Sequence, residues 1–316
     1  MPKGKVQIMK CLKCYNKLDE NQKYYHHKCL KNFFGNINIP QIDIDNENIV
    51  LGEETIVNHK LSLTGVQRKF SAGYQNNKKN EITITGYETN FILKLPSTSF
   101  KEIVFNEDLT MNLAKLSGIK TVEHIVIPFG SDYAYLTKRI DRKENKKLHL
   151  EDFCQLSEKQ TENKYHGSLE LISRKLKEFS DLANFDLHTL FELAIFNFLI
   201  GNNDMHLKNY SLLYDRITSL SPAYDLLNTS LYISKKDDSE DFALTMNGKK
   251  NNFNLKDFVH FGNYLELNEP QINNVFKKFK NINNLFVETI DKSFLSNKNK
   301  KDYKNIYESN FKIFEN

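Results

Sequence analysis

The chain has 316 residues, with 40% hydrophobic and 27% charged side chains and a formal net charge of +4. This composition is typical of a folded globular protein and excludes an intrinsically disordered chain. No apolar run reaches the roughly 18–20 residues of a membrane span. The opening stretch, MPKGKVQIMKCLKC, also lacks the apolar core of a signal peptide. We therefore expect a cytoplasmic protein with no membrane partner.

Three of the four cysteines lie near the start of the chain, in the stretch CLKCYNKLDENQKYYHHKC. Cys11 and Cys14 form one close pair, and His26 and Cys29 form a second. Two such pairs separated by a short loop can surround a tetrahedral zinc ion, although His27 could replace His26. The alternative is a group of unrelated thiols. Four protein ligands would leave no open position, so a zinc ion here would be structural.

Residues 41–140 combine short strands with one helix. The runs KFSAGYQ, EITIT, NFILKLP and YAYLTKRI are rich in β-branched and aromatic residues, which predicts strands. Between the last two, VFNEDLTMNLAKLSGI predicts a helix that Gly118 ends. Its apolar face would contain Phe105, Leu109, Leu113 and Leu116. We expect an α+β lobe with a mostly antiparallel sheet.

Residues 141–316 show mostly helical periodicity. The segments LHLEDFCQLS, LELISRKLKEFS and LHTLFELAIFNFLI predict helices, the last ending at Gly201, and further helices are expected between about 255 and 316. The sequence therefore predicts three parts: a Cys/His segment at 1–40, a sheet-rich N-terminal lobe at 41–140 and a helical C-terminal lobe at 141–316. Ligands commonly bind in the cleft between two such lobes.

A cluster of polar residues follows the apolar run FNFLI. Asp204 and Asn209 lie in NNDMHLKN, and Asp225 follows in PAYDLLN. Asp-x4-Asn followed by a second Asp is the spacing of protein kinases. Phosphoryl transfer needs a carboxylate that accepts the proton of the attacking hydroxyl, and oxygen ligands for Mg²⁺. Taken alone, the cluster is explained more simply as a solvated turn after a helix.

The N-terminal lobe supplies two matching charges. Lys94 ends the apolar strand FILK, where it could bind nucleotide phosphates, and Glu107 in the next helix could pair with it. A lysine whose stem lies along apolar surface and a glutamate favoured by the helix dipole are the simpler explanations of each residue alone. The order Lys, Glu, Asp, Asn, Asp across the two lobes favours a kinase site.

The chain resembles the HipA-type serine/threonine kinases, the toxins of HipBA and HipBST toxin–antitoxin systems. The resemblance rests on motifs in family order between residues 61 and 228: LSLTGVQRKFSA, FILKLP, NEDLTMNLAKLSGI, TKRIDR, LEDFCQLS, FNFLIGNNDMHLKNYSLL and SPAYDLLN. It implies a two-lobed kinase-like fold that binds ATP and Mg²⁺.

The resemblance also implies roles for single residues. Asp204 would be the catalytic aspartate, Asn209 and Asp225 the Mg²⁺ ligands, and Lys94 the ATP-phosphate lysine held by Glu107. A second group would contact the nucleotide or its surroundings. Lys138 and Ile140 would lie in the hinge beside adenine, and His206 and Lys208 would pack the catalytic loop or contact phosphate or substrate, although His206 could also be purely structural.

LSLTGVQRK is similar to the HipA phosphate loop, which implies nucleotide contacts for Gly65 and Gln67. Ser62 matches a serine that is autophosphorylated in this family. Its phosphate would add nearly two negative charges beside the ATP phosphates. We therefore hypothesise that phosphorylated Ser62 is an inactive state.

The resemblance implies partners as well. HipA has a separate N-terminal subdomain ahead of the kinase loop, whereas this chain has about sixty residues that carry the Cys/His cluster, an arrangement closer to the shorter HipT-like toxins. We expect a HipB-like DNA-binding antitoxin, contact with DNA only through it, and a small HipS-like protein that matches the missing subdomain. The substrate would be a protein, by resemblance an aminoacyl-tRNA synthetase, so that translation is inhibited. The alternatives are a small-molecule phosphotransferase and a non-catalytic zinc-containing binding module.

Overall fold

The structure is a computed structural model that describes residues 9–43, 67–75, 80–84, 89–143, 146–233 and 239–315. Ser62 and Gly65 lie outside these residues, so the predictions made for them are not addressed by the structure. Among the helices of the described residues, none is long and apolar enough to cross a membrane.

The N-terminal lobe is built on a six-stranded sheet with the strand order β1-β3-β2-β4-β6-β5. Four of its five pairings are antiparallel, which agrees with the expected mostly antiparallel sheet, and β1 and β3 run parallel. The strands are β1 (Gln41–Asp43), β2 (Lys69–Gln75), β3 (Glu81–Ile84), β4 (Phe91–Lys94), β5 (His124–Phe129) and β6 (Asp132–Lys138). Two helices accompany the sheet, α1 (His27–Phe34) and α2 (Ile103–Leu116).

Alternation along β4 separates the two faces of this sheet. Phe91 and Leu93 join a hydrophobic cluster that also contains Leu30 and Phe33 of α1. Ile92 and Lys94 point to the opposite face, because successive strand residues face opposite sides. The Cys/His segment therefore covers one face with shared apolar packing, and the other face is left for a polar site.

Helix α2 departs from its expected amphipathic pattern. Leu109 and Leu113 are fully buried as predicted, but Leu116 is 39% exposed, so its place on the buried face was wrong. Polar residues fill the buried surface instead, among them Glu107 and Asp108. The helix lies between the sheet and the C-terminal helices, so nearly every side of it is covered, and only its last turn reaches solvent. Gly118 follows the helix with a φ of +81°, which suits its predicted role as a stop.

The C-terminal lobe contains the remaining helices and two small sheets. Its helices are α3 (Phe153–Leu156), α4 (Leu169–Phe179), α5 (Ala183–Ile200), α6 (Leu255–Tyr264), α7 (Glu269–Lys292) and α8 (Asn297–Phe311). Its strands are β7 (Arg142–Lys143), β8 (Lys146–Lys147), β9 (His149–Asp152), β10 (Ser211–Tyr214) and β11 (Thr218–Leu220). β9, β10 and β11 form a three-stranded sheet, and β7 pairs with β8.

The prediction of one helix over LHLEDFCQLS was wrong. Its first half is β9, which pairs with β10, and only its second half is helical. Asp152 lies at the boundary between β9 and α3. Its side chain accepts a hydrogen bond from the N–H of Gln155 and so caps α3. The helices predicted at 169–180 and 187–200 are present, and α6, α7 and α8 fill the predicted helical tail.

Helix α5 is the centre of the larger hydrophobic core. Phe191, Ala194, Ile195, Phe198 and Leu199 are all buried, as the predicted stripe requires. The helix ends at Gly201, which has a φ of +69°.

The combination of a sheet-rich lobe and a helical lobe confirms the α+β prediction. The division at residues 40 and 140 stays a prediction, and the Cys/His segment shares its core with the sheet.

Candidate active site

A cleft of about 240 Å³ opens between the sheet and the C-terminal lobe. Its walls combine apolar side chains from both lobes with several charged groups, which is typical of a ligand site. The sheet and the stretch that follows it supply one wall, and β9, α3 and the loops near β10 supply the other. The lining includes Lys69, Ile92, Lys94, Val122, Thr137, Lys138, Arg139, Ile140, Asp141, Leu150, Asp152, Gln155, Lys208, Ser211, Tyr224 and Asp225.

Lys94 is the centre of a buried ion network at the end of this cleft. Its Nζ donates to Oε1 of Glu107 and to Oδ1 of Asp225. The expected pairing of Lys94 with Glu107 is therefore present, and both side chains are only 4% exposed. Lys69 donates to the other oxygen of Asp225 at 2.9 Å. Lys69 and Lys94 are paired residues of β2 and β4, so their side chains extend from the same face.

Asp225 and Lys94 hold each other ionised. Burial alone would raise the pKa of Asp225, but the ammonium groups of Lys69 and Lys94 lower it well below its ordinary value. Burial alone would lower the pKa of Lys94, but Asp225 and Glu107 raise it above its ordinary value. Asp225 also has a φ of +55°, which is uncommon for a residue with a side chain. Such backbone strain is concentrated at functional sites.

The loop after α5 is fixed at its first residue. A Cβ on Gly201 would lie 2.8 Å from Ile306 of α8 and 2.9 Å from Ser230, so only glycine fits. The next residue, Asn202, donates to the side chain of Asn197 at 2.9 Å. The N–H of Asn203 donates to Thr229 Oγ1 at 2.7 Å. The loop is therefore held by α5, by α8 and by the stretch that follows Asp225.

Asp204 and Asn209 lie together in this loop. The amide of Asn209 donates to the carbonyl oxygen of Asp204 at 3.0 Å, which fixes the turn between them. The carboxylate of Asp204 accepts a hydrogen bond from the hydroxyl of Tyr165 at 2.5 Å. Asp204, Asp225 and Lys69 all influence the pKa of Lys164, which burial lowers. The two halves of the predicted constellation therefore share one electrostatic neighbourhood.

His206 and Lys208 have different surroundings. His206 is buried, and its ring meets the edge of Tyr165 with 5.1 Å between ring centroids. Burial lowers the pKa of His206 to about 3, so the ring stays neutral. Within the described residues, neither ring nitrogen has a hydrogen-bond partner. Lys208 lines the cleft and donates to Asp152 at 2.6 Å.

The remaining predicted nucleotide residues lie at two ends of the site. Lys138 and Ile140 both line the cleft, at the end of β6 and just beyond it. Gln67 is buried beside the ion network and donates to the carbonyl oxygen of Leu95 at 2.9 Å. Its side-chain amide therefore supports the backbone after β4. The nucleotide roles of these three residues stay predictions.

Sequence reasoning missed three residues of the site, Lys69, Tyr165 and Asp152. Lys69 begins a predicted strand, and its register with Lys94 could have indicated a shared face. Tyr165 is 39 positions from Asp204, and Asp152 is 56 positions from Lys208. Local patterns contain no signal for such distant pairs.

The four predicted zinc ligands meet on the far side of the sheet from the cleft. One ligand atom from each of Cys11, Cys14, His26 and Cys29 lies within 4.8 Å of the other three. His26 contributes Nδ1, which is 3.3 Å from the Cys14 sulfur. Its Nε2 is 2.9 Å from the carbonyl oxygen of Lys17, an arrangement typical of histidines that bind metal. His27 is exposed and does not belong to the cluster.

Comparison with known proteins agrees with this geometry. The sequence model of the HipA-like C-terminal domain family matches residues 61–286, which is most of the chain. The chain belongs to this family. The HipA-type resemblance inferred from the motifs is therefore confirmed.

Curated relatives of this HipA-like chain include kinases. It is 36% identical to the predicted kinase Y4dM of Sinorhizobium fredii, over 56% of this chain and 47% of that protein. It is 28% identical to the serine/threonine-protein kinase toxin HipA of Shewanella oneidensis, over 55% of this chain and 44% of that protein. The chain thus spans about half the length of these relatives.

Two solved structures share the fold of this HipA-like chain. HipA of Shewanella oneidensis, solved with HipB and operator DNA, has a TM-score of 0.69 at 22% identity and covers 86% of this chain and 70% of its own. The Helicobacter pylori proinflammatory kinase CtkA has a TM-score of 0.52 at 16% identity, with 78% and 94% covered. The predicted two-lobed kinase-like fold is confirmed.

Proposed function

We propose that the protein is an ATP- and Mg²⁺-dependent protein-serine/threonine kinase. The observation that carries the proposal is the ion network of Lys94, Glu107 and Asp225 at the end of the cleft. The loop with Asp204 and Asn209 lies in the same electrostatic neighbourhood. Lys94 and Asp225 line the cleft together with Lys208 of that loop, so segments that are distant in sequence supply the residue types that phosphoryl transfer requires.

In this proposal Lys94 binds the phosphates of ATP, and Glu107 fixes the position of its ammonium group. Asn209 and Asp225 offer the oxygen atoms that Mg²⁺ prefers, and the ion would neutralise the phosphate charge. Asp204 orients the hydroxyl of the substrate serine and accepts its proton. The turn made by the Asn209 amide and the Asp204 carbonyl supports this orientation.

Substrate and partners are proposed on the family resemblance. The HipA structure from Shewanella oneidensis contains HipB and operator DNA, which supports a HipB-like antitoxin for this chain. We further propose a HipS-like small partner, autophosphorylation of Ser62 and an aminoacyl-tRNA synthetase as substrate. Phosphorylation of such a substrate would inhibit translation, and this inhibition would account for the toxicity of the protein.

We also propose that Cys11, Cys14, His26 and Cys29 bind one structural Zn²⁺. Ligand atoms around a tetrahedral zinc lie roughly 3.5–3.8 Å apart, which the cluster can reach with small adjustments. Metal analysis of protein purified without added zinc should find about one zinc per chain. Protein that is folded but contains no zinc would contradict this assignment.

Phosphotransfer from labelled ATP tests the kinase. Purified protein incubated with ATP, Mg²⁺ and cell lysate should label discrete protein bands, and phosphopeptide mass spectrometry should find phosphate on Ser62. Asp204→Asn should lower the rate roughly 100- to 10,000-fold, the range of general-base contributions. Asp215→Asn is the matched control and should leave the rate unchanged, because Asp215 lies beyond the end of β10 and pairs with Lys143. Label found only in small molecules would instead support the small-molecule phosphotransferase.

A further inference from the structure

Tyr15 connects the Cys/His cluster with helix α2. Tyr15 directly follows Cys14, and its N–H donates to the carbonyl oxygen of Cys11 at 2.9 Å. Its φ of +62° is uncommon for a tyrosine, so this loop specifically imposes its backbone conformation. The position of Tyr15 therefore depends on the loop that carries two of the four proposed ligands.

The hydroxyl of Tyr15 donates to Oδ2 of Asp108, a buried residue of α2. Asp108 follows Glu107, the residue that pairs with Lys94. A one-residue step along a helix is a rotation of about 100°, so the two carboxylates point to different sides. A shift or rotation of α2 that releases Asp108 would thus also move Glu107.

Other contacts of α2 make its position important for the whole site. The side chain of Asn106 donates to the carbonyl oxygen of Asn228 at 2.9 Å and accepts from its N–H at 3.1 Å. Asn228 lies three residues after Asp225. The same helix therefore positions Glu107 beside Lys94 and supports the segment that carries Asp225.

A second set of contacts connects Asp108 with Lys94 along one face of the sheet. His124 lies 3.3 Å from Oδ1 of Asp108 and stacks on Tyr135, with 5.3 Å between ring centroids. The ammonium group of Lys94 lies 5.3 Å from the centre of the Tyr135 ring. These side chains are buried and closely packed. A displacement of Tyr15 would therefore be transmitted to Lys94 at the end of the cleft.

We propose that zinc bound by the Cys/His cluster holds α2, through Tyr15 and Asp108, in the position where Glu107 pairs with Lys94. Tyr15 is thus a positioning residue of the candidate active site. The inference rests on the proposed kinase function for its activity measurements, but the position of α2 can be measured without it.

Tyr15→Phe tests the link, because it removes only the hydroxyl and keeps the ring beside Phe294. Zinc content should stay at one per chain, and kcat should fall about 3- to 10-fold, the range expected for the loss of one hydrogen bond of ordinary strength. Tyr25→Phe is the matched control. Tyr25 belongs to the same segment and also donates to a buried acceptor, but that acceptor is the carbonyl oxygen of Val126 on β5. It should lower the melting temperature as much as Tyr15→Phe does and leave kcat unchanged.

A double-mutant cycle separates positioning from general destabilisation. If Tyr15 acts through Glu107, then Tyr15→Phe should have little further effect on kcat in the Glu107→Gln background. Effects that multiply in the double variant, or equal effects of Tyr15→Phe and Tyr25→Phe on kcat, would overturn the proposal.

Zinc removal supplies a measurement that needs no activity. A zinc-selective chelator should speed hydrogen exchange of the amides in α2, and added zinc should restore their protection. Exchange in α2 that is the same with and without zinc would refute the inference even in an active kinase. Faster exchange in α2 without any phosphotransfer by the loaded protein would instead support the link and refute the proposed kinase function.

Discussion

Glu107 and Asp108 are consecutive buried carboxylates on one helix, yet their surroundings differ. Glu107 pairs with a lysine at the end of a cleft. Asp108 is fully buried on another side of the same helix and contacts Tyr15 and His124. The first carboxylate pairs directly with a lysine, whereas the second contacts a hydroxyl and an imidazole whose pKa burial lowers, and the charge of Lys13 also acts on it.

The difference separates two uses of a buried acid. A carboxylate that faces a buried cation must remain ionised, since loss of its charge leaves the cation uncompensated. A carboxylate among neutral partners supplies only hydrogen-bond acceptors, and another acceptor of the same shape can replace it. Glu107 thus belongs to the chemistry of the cleft, and Asp108 belongs to the positioning of the helix.

The same acid-to-amide change at both residues gives the largest expected contrast. Glu107→Gln should lower kcat/KM for ATP roughly 10- to 100-fold, because Lys94 loses a charge-assisted bond. Asp108→Asn should change kcat/KM less than about twofold, since its oxygen can accept from Tyr15 and its amide can donate to a neutral His124. Steady-state kinetics on both variants decide the matter. Equal losses would remove the distinction between the two carboxylates.

The pH dependence of stability offers a second, intermediate contrast. Burial lowers the pKa of His124, and the nearby charge of Lys13 lowers it further, although Asp108 acts in the opposite direction. Below pH about 6.5 the unfolded chain binds a proton that the folded chain does not, so stability falls as the pH falls, by at most about 1.4 kcal/mol per pH unit. His124→Gln should remove this loss. Urea unfolding at pH 7 and pH 5 measures it.

The parallel variant is His206→Gln on the cleft side. Burial lowers the pKa of His206 to about 3, so this change should flatten the same pH slope. A histidine variant that keeps the full wild-type slope would show that its imidazole is protonated in the folded protein.

The smallest expected effect concerns the contact between the Cys/His segment and the C-terminal lobe. Lys10 donates to the carbonyl oxygen of Lys292 at 2.6 Å, at the end of α7. Lys10→Met should lower the free energy of unfolding by about 0.3–1 kcal/mol, the usual worth of a cation at a helix C-terminus. Phosphotransfer should be unchanged. A clear loss of activity would indicate that the segment acts on the site through α7 as well as α2.

Local patterns in the sequence predicted the parts of the site that are continuous in the chain. The apolar stripe of α5, the stop at Gly201 and the loop with Asp204 and Asn209 follow from spacing alone. Lys94 at the end of an alternating strand and Glu107 at the start of a helix could be paired only through the kinase order of the motifs.

Contacts between distant residues could not be predicted in this way. Lys69 and Asp225 are 156 positions apart, and Tyr15 and Asp108 are 93 positions apart. Polar pairing of this kind depends on the tertiary fold and leaves no periodic signal. The strand β9 was read as helix because His149–Asp152 and the residues after it form one short pattern that fits either structure.

Gly201 has a consequence for where this protein can be divided. Its missing side chain leaves room for Ile306 of α8, so the start of the catalytic loop is packed against a helix beyond residue 286, where the family match ends. The Cys/His segment, which covers one face of the sheet, precedes residue 61. A fragment trimmed to the matched residues would keep every proposed catalytic side chain and lose the surfaces that position them. The region that packs together is therefore longer at both ends than the region that matches the family.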